Sequence, residues 1–140
     1  MKQYLIKQPE PSNLCGQSCV AMIAGITLDE SIKVFGKRSG TYTKDVIAAL
    51  QKLNISCGDK LIRITKTQKK SDYCMVVIRA KGIKRYDHWV VFKNGQYYDP
   101  AVGIADDLNG DFHDPIAGKL QWYEFERHET SYLPIHSFVR

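Results

Sequence analysis

The sequence predicts an α+β domain in which N-terminal helices pack on a largely antiparallel β-sheet. Apolar residues recur at helical spacing from Cys15 to Leu53. After Leu53, short runs of β-branched and aromatic residues follow, separated by turn signals. Helices first and strands later are typical of an α+β domain rather than of an alternating α/β chain. The 140 residues have the size of one domain, which we place at residues 1–140.

Three helices are predicted, at residues 15–26, 28–35 and from 43 through 53. Ser12 and Asn13 are both suitable caps for the first helix. The second helix follows a threonine cap, carries two acidic residues in its first turn and precedes a glycine, which are the usual signals for a helix start and stop. Six short strands are predicted, at residues 3–7, 61–64, 73–80, 88–93, 96–99 and 120–127.

The net charge of +5 comes partly from two basic clusters, at residues 66–70 and 79–85. Such clusters can hold phosphates, but no nucleic-acid-binding motif accompanies them, so nucleic acid is not an expected partner. No apolar run approaches the roughly 20 residues of a membrane helix, and the first ten residues do not resemble a secretory signal. We therefore expect a cytoplasmic location, where thiols stay reduced, unless the domain is excised from a larger secreted protein.

The stretch 13–22, NLCGQSCVAM, contains two of the four cysteines. A disulfide between Cys15 and Cys19 would join adjacent turns of one helix, which fits the required dihedral angle poorly. A zinc site would need a second close pair of ligands, and Cys57 and Cys74 are too far apart in sequence to supply it. The spacing therefore predicts no metal site, and the acyl-transfer chemistry considered below implies no organic cofactor either.

A nucleophile explains the two cysteines better. A thiol at a helix N-terminus lies at the positive end of the helix dipole, which favours the thiolate. Cys15 occupies that first turn, whereas Cys19 lies one turn deeper on the apolar face. Gly16 leaves room for a substrate carbonyl to approach the backbone amides. On this interpretation Cys15 is reactive and Cys19 is a packing residue.

A cysteine nucleophile needs a base, and the base needs an orienting group. His88 begins a strand that is joined to the next strand by Asn94-Gly95, the strongest short signal for a two-residue hairpin turn. This turn opposes Val90 to Asp99, so His88 and Asp99 become diagonal neighbours on one face. The three other histidines, which we interpret as surface or structural residues, are His113, His128 and His136.

An oxyanion formed during acyl transfer needs hydrogen-bond donors. The backbone amide of Cys15 can supply one donor. Gln8, which lies across a proline-containing turn from Cys15, can supply a side-chain amide as the second. Gln17 is closer in sequence but points off the first turn of the helix, so it is the weaker candidate.

The order of these residues resembles that of the papain-like cysteine peptidases: glutamine, Cys-Gly at a helix start, histidine on a strand and Asp-Pro on the next. It is most similar to the compact bacterial branch typified by the bacteriocin-processing peptidase domains of peptide exporters, in which Cys-Gly is followed by small residues and a methionine. The resemblance covers roughly residues 3–102. It implies a papain-like fold with Cys15 as nucleophile, His88 as base, Asp99 as orienting residue and Gln8 as oxyanion donor.

Two features depart from the family pattern. Gln8 lies seven residues before Cys15, whereas the family usually places its glutamine six residues before the cysteine. This difference weakens the assignment of Gln8 as oxyanion donor relative to that of the other three residues. Papain itself uses the second cysteine of a CGSCW stretch, which would favour Cys19, but here the cysteines are one residue further apart and the tryptophan is absent.

The resemblance implies a peptidase that cleaves an amide bond of a peptide or protein substrate through a thioester intermediate. Two alternatives stay open. One is a toxin or effector domain of a bacterium or phage that deamidates or transglutaminates proteins and has an inhibitor or immunity protein as its partner. The other is a basic nucleic-acid-binding module without catalysis.

Overall fold

The computed structural model describes residues 3–83 and 87–138. Three helices come first in the chain, and their bounds are α1 Cys15–Ala24, α2 Leu28–Phe35 and α3 Thr43–Lys52. The described strands are β1 Ile55–Cys57, β2 Ile62–Arg63, β3 Tyr73–Ala80, β4 Asp87–Lys93, β5 Gln96–Asp99, β6 Gly103–Ala105, β7 Phe112–Asp114, β8 Lys119–Gln121 and β9 Arg127–Phe138.

These strands form one sheet in the order β1-β9-β3-β4-β5-β6-β7-β8, with β2 paired to β9. Every pairing between them is antiparallel. The predicted α+β class, with N-terminal helices and a largely antiparallel sheet, is confirmed.

Apolar residues fill both faces of the sheet because side chains alternate along each strand. On β3, Met75 belongs to the core beneath the helices, whereas its neighbours Cys74 and Val76 belong to a second core on the other face. On β4, Val91 and Val90 divide in the same way. Helix α1 packs against β4, which brings the helix start close to the strand that carries the predicted base.

Helix α1 begins at Cys15, as predicted, but neither predicted cap acts as one. The N-cap position is Leu14, whose side chain is buried, and no side chain caps the helix start. Ser12 instead accepts a hydrogen bond from the Leu14 amide through Oγ, at 3.4 Å. The residue at the N-cap position is therefore a buried apolar one, and no N-cap side chain accepts from the first-turn amides.

The boundaries of α2 agree with the predicted ones. Thr27 accepts a hydrogen bond from the Glu30 amide, and the Glu30 side chain accepts one from the Thr27 amide, which together form a capping box. Gly36 ends the helix with φ of 75°, in the left-handed region that glycine adopts at little cost.

The strand predicted at residues 3–7 does not form. Its backbone joins no strand of the sheet, while the side chains of Leu5 and Ile6 pack against the core. Gln3 donates a hydrogen bond to the Met22 carbonyl at 2.9 Å, which ties the segment to α1. The segment therefore packs on the core and on α1 without joining the sheet.

The C-terminal strand prediction is also wrong in part. Within residues 120–127, only the beginning and the last residue are in strands, because the stretch between them crosses from β8 to β9. Strand β9 is the longest described strand and lies between β1 and β3 in the sheet. The predicted sheet lacked it.

No described helix is long and apolar enough to cross a membrane. Of the basic cluster at 79–85, Lys84 and Arg85 lie outside the described residues.

Candidate active site

His88 and Asp99 meet across the β4–β5 hairpin. The two-residue turn is at Asn94-Gly95, with φ of 49° and 85°, and it aligns Lys93 with Gln96 as the sequence predicts. His88 Nε2 consequently lies 2.7 Å from Asp99 Oδ1. The other ring nitrogen, Nδ1, is thereby left for a partner on the opposite side of the ring.

That partner is Cys15. Its side chain forms a hydrogen bond with His88, so a thiol, an imidazole and a carboxylate are linked in one continuous chain. The three residues come from the start of α1, from β4 and from the end of β5. The structure thus brings together three of the four residues that the sequence pattern indicates.

The environment of Cys15 favours its thiolate. Burial raises the pKa of a thiol, but here the hydrogen bond and charge of His88, together with backbone hydrogen bonds from Trp89 and Gly16, outweigh burial and lower the pKa of Cys15. The Gly16 amide belongs to the first turn of α1, which no side chain caps. The free helix start therefore contributes directly to the reactive form of the thiol.

His88 and Asp99 favour the charged forms of each other. Burial alone would lower the pKa of His88, but the charge and hydrogen bond of Asp99, with those of Cys15, hold the pKa well above its usual value. Burial alone would raise the pKa of Asp99, yet His88 and Arg127 lower it to about 2. The carboxylate is ionised throughout the neutral range, so it can orient and stabilise an imidazolium.

Cys19 behaves differently, although it lies one helical turn from Cys15. It is fully buried in the core, and burial, together with the charges of Cys15 and Asp99, raises its pKa well above the usual value. This environment agrees with the packing role that the sequence predicts for it.

Gln8 lines the same cleft as Cys15 and His88. Its backbone amide donates to the carbonyl of Pro100, which follows Asp99, at 2.8 Å. Its side-chain Nε2 donates to the Ser12 carbonyl at 3.1 Å. Nε2 also donates to Ser12 Oγ, at 3.5 Å, so a ligand in the cleft would take the hydrogen that makes this longer contact.

Gln17, the weaker candidate for oxyanion donor, does not line this cleft. Its side chain is fully buried, and Nε2 donates to the carbonyls of Ser39, at 2.8 Å, and Lys37, at 3.3 Å. Gln17 therefore fastens the loop before α3 to helix α1.

Gly16 has a packing reason to be glycine that its position in the sequence does not reveal. A Cβ at this position would lie 2.3 Å from Thr41 Oγ1, far inside van der Waals contact. The loop at residues 40–42 therefore approaches the helix start closely, and this loop forms one wall of the cleft. The close approach of Thr41 is therefore a second reason for glycine at this position, beside the space expected for a substrate carbonyl.

The cleft above Cys15 and His88 has a volume of about 690 Å³. Its walls come from the N-terminal segment, the loop before α3 and the sheet, and they include Glu10, Tyr42, Arg79, Asp87 and Trp89. The remaining histidines, His113, His128 and His136, are exposed and do not line it. Because Cys15 lines the cleft and is partly exposed, a substrate backbone can reach the thiol from solvent.

Two residues at the site were missed by sequence reasoning. Asp99 Oδ2 accepts hydrogen bonds from Arg127 Nη1, at 3.0 Å, and from the Tyr123 hydroxyl, at 3.1 Å. The backbone amide of Ala101 donates to Oδ1 at 2.9 Å. Neither Arg127 nor Tyr123 belongs to a motif, and both come from the C-terminal stretch that the resemblance did not cover.

Comparison with known proteins identifies a solved structure of similar fold. No protein-family model matches the chain, and no curated protein matches it. Among solved structures, the peptidase domain of Streptococcus ComA, a bifunctional ABC transporter involved in quorum sensing, matches with a TM-score of 0.52 and 16% identity, over 99% of this chain and 100% of that domain. This likeness confirms the predicted resemblance at the level of the fold: the chain shares the fold of that domain.

Proposed function

We propose that the protein is a cysteine peptidase that cleaves an amide bond of a peptide or protein substrate. In this proposal Cys15 is the nucleophile, His88 the general base and acid, Asp99 the orienting residue and Gln8 an oxyanion donor. The observation that carries the proposal is the hydrogen-bonded chain from Cys15 through His88 to the buried Asp99, whose first two members line the cleft. The fold shared with a peptidase domain supports the same activity.

The first half of the reaction forms an acyl-enzyme. The Cys15 thiolate attacks the substrate carbonyl carbon, a carbon–sulfur bond forms, and the carbonyl oxygen becomes an oxyanion. The His88 imidazolium then donates its Nδ1 proton to the amide nitrogen as the carbon–nitrogen bond breaks. The amine leaves, and a thioester and a neutral imidazole remain.

The second half releases the acid. The neutral imidazole of His88 takes a proton from a water molecule while the water oxygen attacks the thioester carbon. The carbon–sulfur bond breaks, the carboxylic acid product leaves, and the thiolate–imidazolium pair is restored. Asp99 keeps its charge in both halves and holds the proton of His88 on Nε2, so that Nδ1 always faces the sulfur.

The oxyanion forms beside the start of α1. The donors that we assign to it are the backbone amide of Cys15 and Gln8 Nε2, which gives up its longer contact to Ser12 Oγ. The hydrogen bond between the Gln8 amide and the Pro100 carbonyl supports this assignment, because it ties the glutamine to the residue next to Asp99. Gln8 and the imidazole are thereby held by the same end of β5.

The test uses a peptide library and intact candidate proteins incubated with the wild-type chain, with Cys15→Ala as the matched control. Mass spectrometry of the products distinguishes the chemistries. Cleavage gives two fragments, one of which has gained a hydroxyl group from water, whereas deamidation leaves the chain whole with a mass increase of about 1 Da. Fragments that require Cys15 support the proposal.

Two results would contradict it. Deamidated or cross-linked products without fragments would move the function to side-chain chemistry at the same thiol. No product, together with salt-dependent binding to nucleic acid and an unreactive Cys15, would favour the non-enzymatic alternative.

A further inference from the structure

Arg127, the first residue of β9, is a buried cation on the far side of the candidate triad. Its side chain has no exposed surface, and neither has that of Asp99. Nη1 lies 3.0 Å from Asp99 Oδ2, the carboxylate oxygen that His88 does not use. Arg127 does not line the cleft, so a substrate there would not touch it.

The guanidinium is held from several sides. Its Cζ lies 3.5 Å from the centre of the Tyr123 ring and 5.5 Å from that of Phe112, so the plane stacks on aromatic faces. Nη2 donates to the Leu108 carbonyl at 3.1 Å. The backbone amide and carbonyl of Arg127 both bond to the side chain of Asn109, at 2.8 and 3.0 Å. These contacts fix the planar guanidinium group in one orientation.

Stability alone does not explain a charged residue at this position. A buried ion pair pays for the desolvation of both charges, and an apolar pair of similar volume is often as stable or more stable. Arg127 Nε is also buried and has no hydrogen-bond partner among the described residues. The arrangement therefore favours a role for Arg127 that depends on its positive charge and on the planar geometry of its guanidinium group.

We propose that Arg127 is a positioning residue, which fixes the Asp99 carboxylate in the orientation that holds His88 and balances its negative charge within the protein interior. Each carboxylate oxygen then has two donors: His88 and the Ala101 amide on Oδ1, and Arg127 and the Tyr123 hydroxyl on Oδ2. The carboxylate cannot rotate without breaking at least two hydrogen bonds. This inference rests on the proposed function, because it assigns Arg127 to the same catalytic chain.

The charges alternate along that chain: thiolate, imidazolium, carboxylate and guanidinium. His88 faces Cys15 from α1 and Asp99 from β5, while Asp99 faces Arg127 and Tyr123 on its other side. Arg79 and Asp87 form a separate ion pair at the exposed cleft rim. Removal of a buried cation makes nearby groups hold their protons more tightly, so loss of Arg127 raises the pKa values of His88 and Cys15.

The experiment compares wild type with Arg127→Met, Arg127→Lys and Arg79→Met. Two readouts do not depend on a substrate: the titration of the His88 ring by NMR, and the pH dependence of Cys15 alkylation by iodoacetamide. Arg127→Met should shift both midpoints upward, that of His88 by about one pH unit. Arg127→Lys keeps the charge and should titrate like wild type. Arg79→Met removes an equal charge from the solvent-screened rim and should leave the His88 titration in place.

Turnover of a cleaved peptide provides the third readout. Arg127→Met should lower kcat at least tenfold with KM little changed, because Arg127 does not touch the cleft. Arg127→Lys should lower kcat by a smaller factor, since an ammonium cannot hold Asp99 and the Leu108 carbonyl in one plane. A folded Arg127→Met with the wild-type His88 titration would overturn the proposal.

Should Arg127→Met fail to fold, Arg127→Lys decides the question. Wild-type kcat in this variant would overturn the positioning role, and a lowered kcat with an unshifted His88 titration would support it. If the wild-type chain cleaves no peptide, the proposed function fails, while the His88 titration and the alkylation profile still test the effect of Arg127 on the triad.

Discussion

His88 and Asp99 are 11 residues apart in sequence, yet the imidazole Nε2 lies 2.7 Å from a carboxylate oxygen of Asp99. The relationship depends on the length of one turn. Asn94 and Gly95 both adopt positive φ, as a two-residue hairpin turn requires. A turn one residue longer would move Asp99 to the opposite face of its strand and separate the pair.

Replacement of Asp99 by asparagine should lower kcat by orders of magnitude. The amide can present its NH₂ group to His88, which favours the wrong tautomer of the imidazole. Steady-state kinetics on a cleaved peptide measure the loss. Asp59→Asn is the matched control, since Asp59 is exposed and does not line the cleft, and it should leave kcat within a few-fold of wild type. Activity of Asp99→Asn equal to that of the control would remove Asp99 from the mechanism.

Gln8→Ala should lower kcat by about 10² to 10³, the typical cost of losing one oxyanion donor, with KM little changed. The matched control is Gln17→Ala. Because the Gln17 side chain is fully buried and bonded to the loop at 37–39, its loss should reduce the free energy of unfolding by about 1–3 kcal/mol and leave the activity per folded molecule intact. The reverse pattern would mean that Gln17, not Gln8, supports the oxyanion.

Asp99 should also make the free energy of unfolding depend on pH in the acidic range. Its pKa is about 2 in the folded protein, against 3.8 as the usual value. A lowered carboxyl pKa stabilises the fold fully above the unfolded pKa, and this contribution is lost as pH falls through 3.8 toward 2. We expect the free energy of unfolding to fall by about 2 kcal/mol over that pH range. Urea unfolding from about pH 5 to about pH 2 measures it, and the Asp99→Asn variant should lack this component. Parallel curves for the two proteins would contradict the assignment.

The site was predictable from the sequence where local chemistry determines geometry. The Asn94-Gly95 turn sets a register, and strand alternation then places His88 and Asp99 on one face. Likewise, the apolar periodicity that begins at Cys15 places this residue at the start of a helix, where the structure has it. These inferences need only a turn type, strand alternation and helix polarity.

The remaining parts depend on tertiary contacts that leave no local signal. Arg127 reaches Asp99 only because β9 lies between β1 and β3, a pairing across most of the chain that no short motif records. The segment 3–7 has a strand-like composition, but its side chains pack on the core while its backbone pairs with no strand. Leu14, a buried apolar residue, takes the place of a polar cap at α1.

The central claim is that Cys15, and not Cys19, is the reactive thiol. Peptide mapping after a limiting dose of iodoacetamide at mildly acidic pH tests it most directly. Cys57 is the internal control, since it is half-buried like Cys15 but burial raises its pKa, so selectivity between them reports the thiolate rather than access. We predict label on Cys15 with a matching loss of activity, and Cys19, Cys57 and Cys74 largely free. Label on Cys19 with Cys15 untouched would contradict the account.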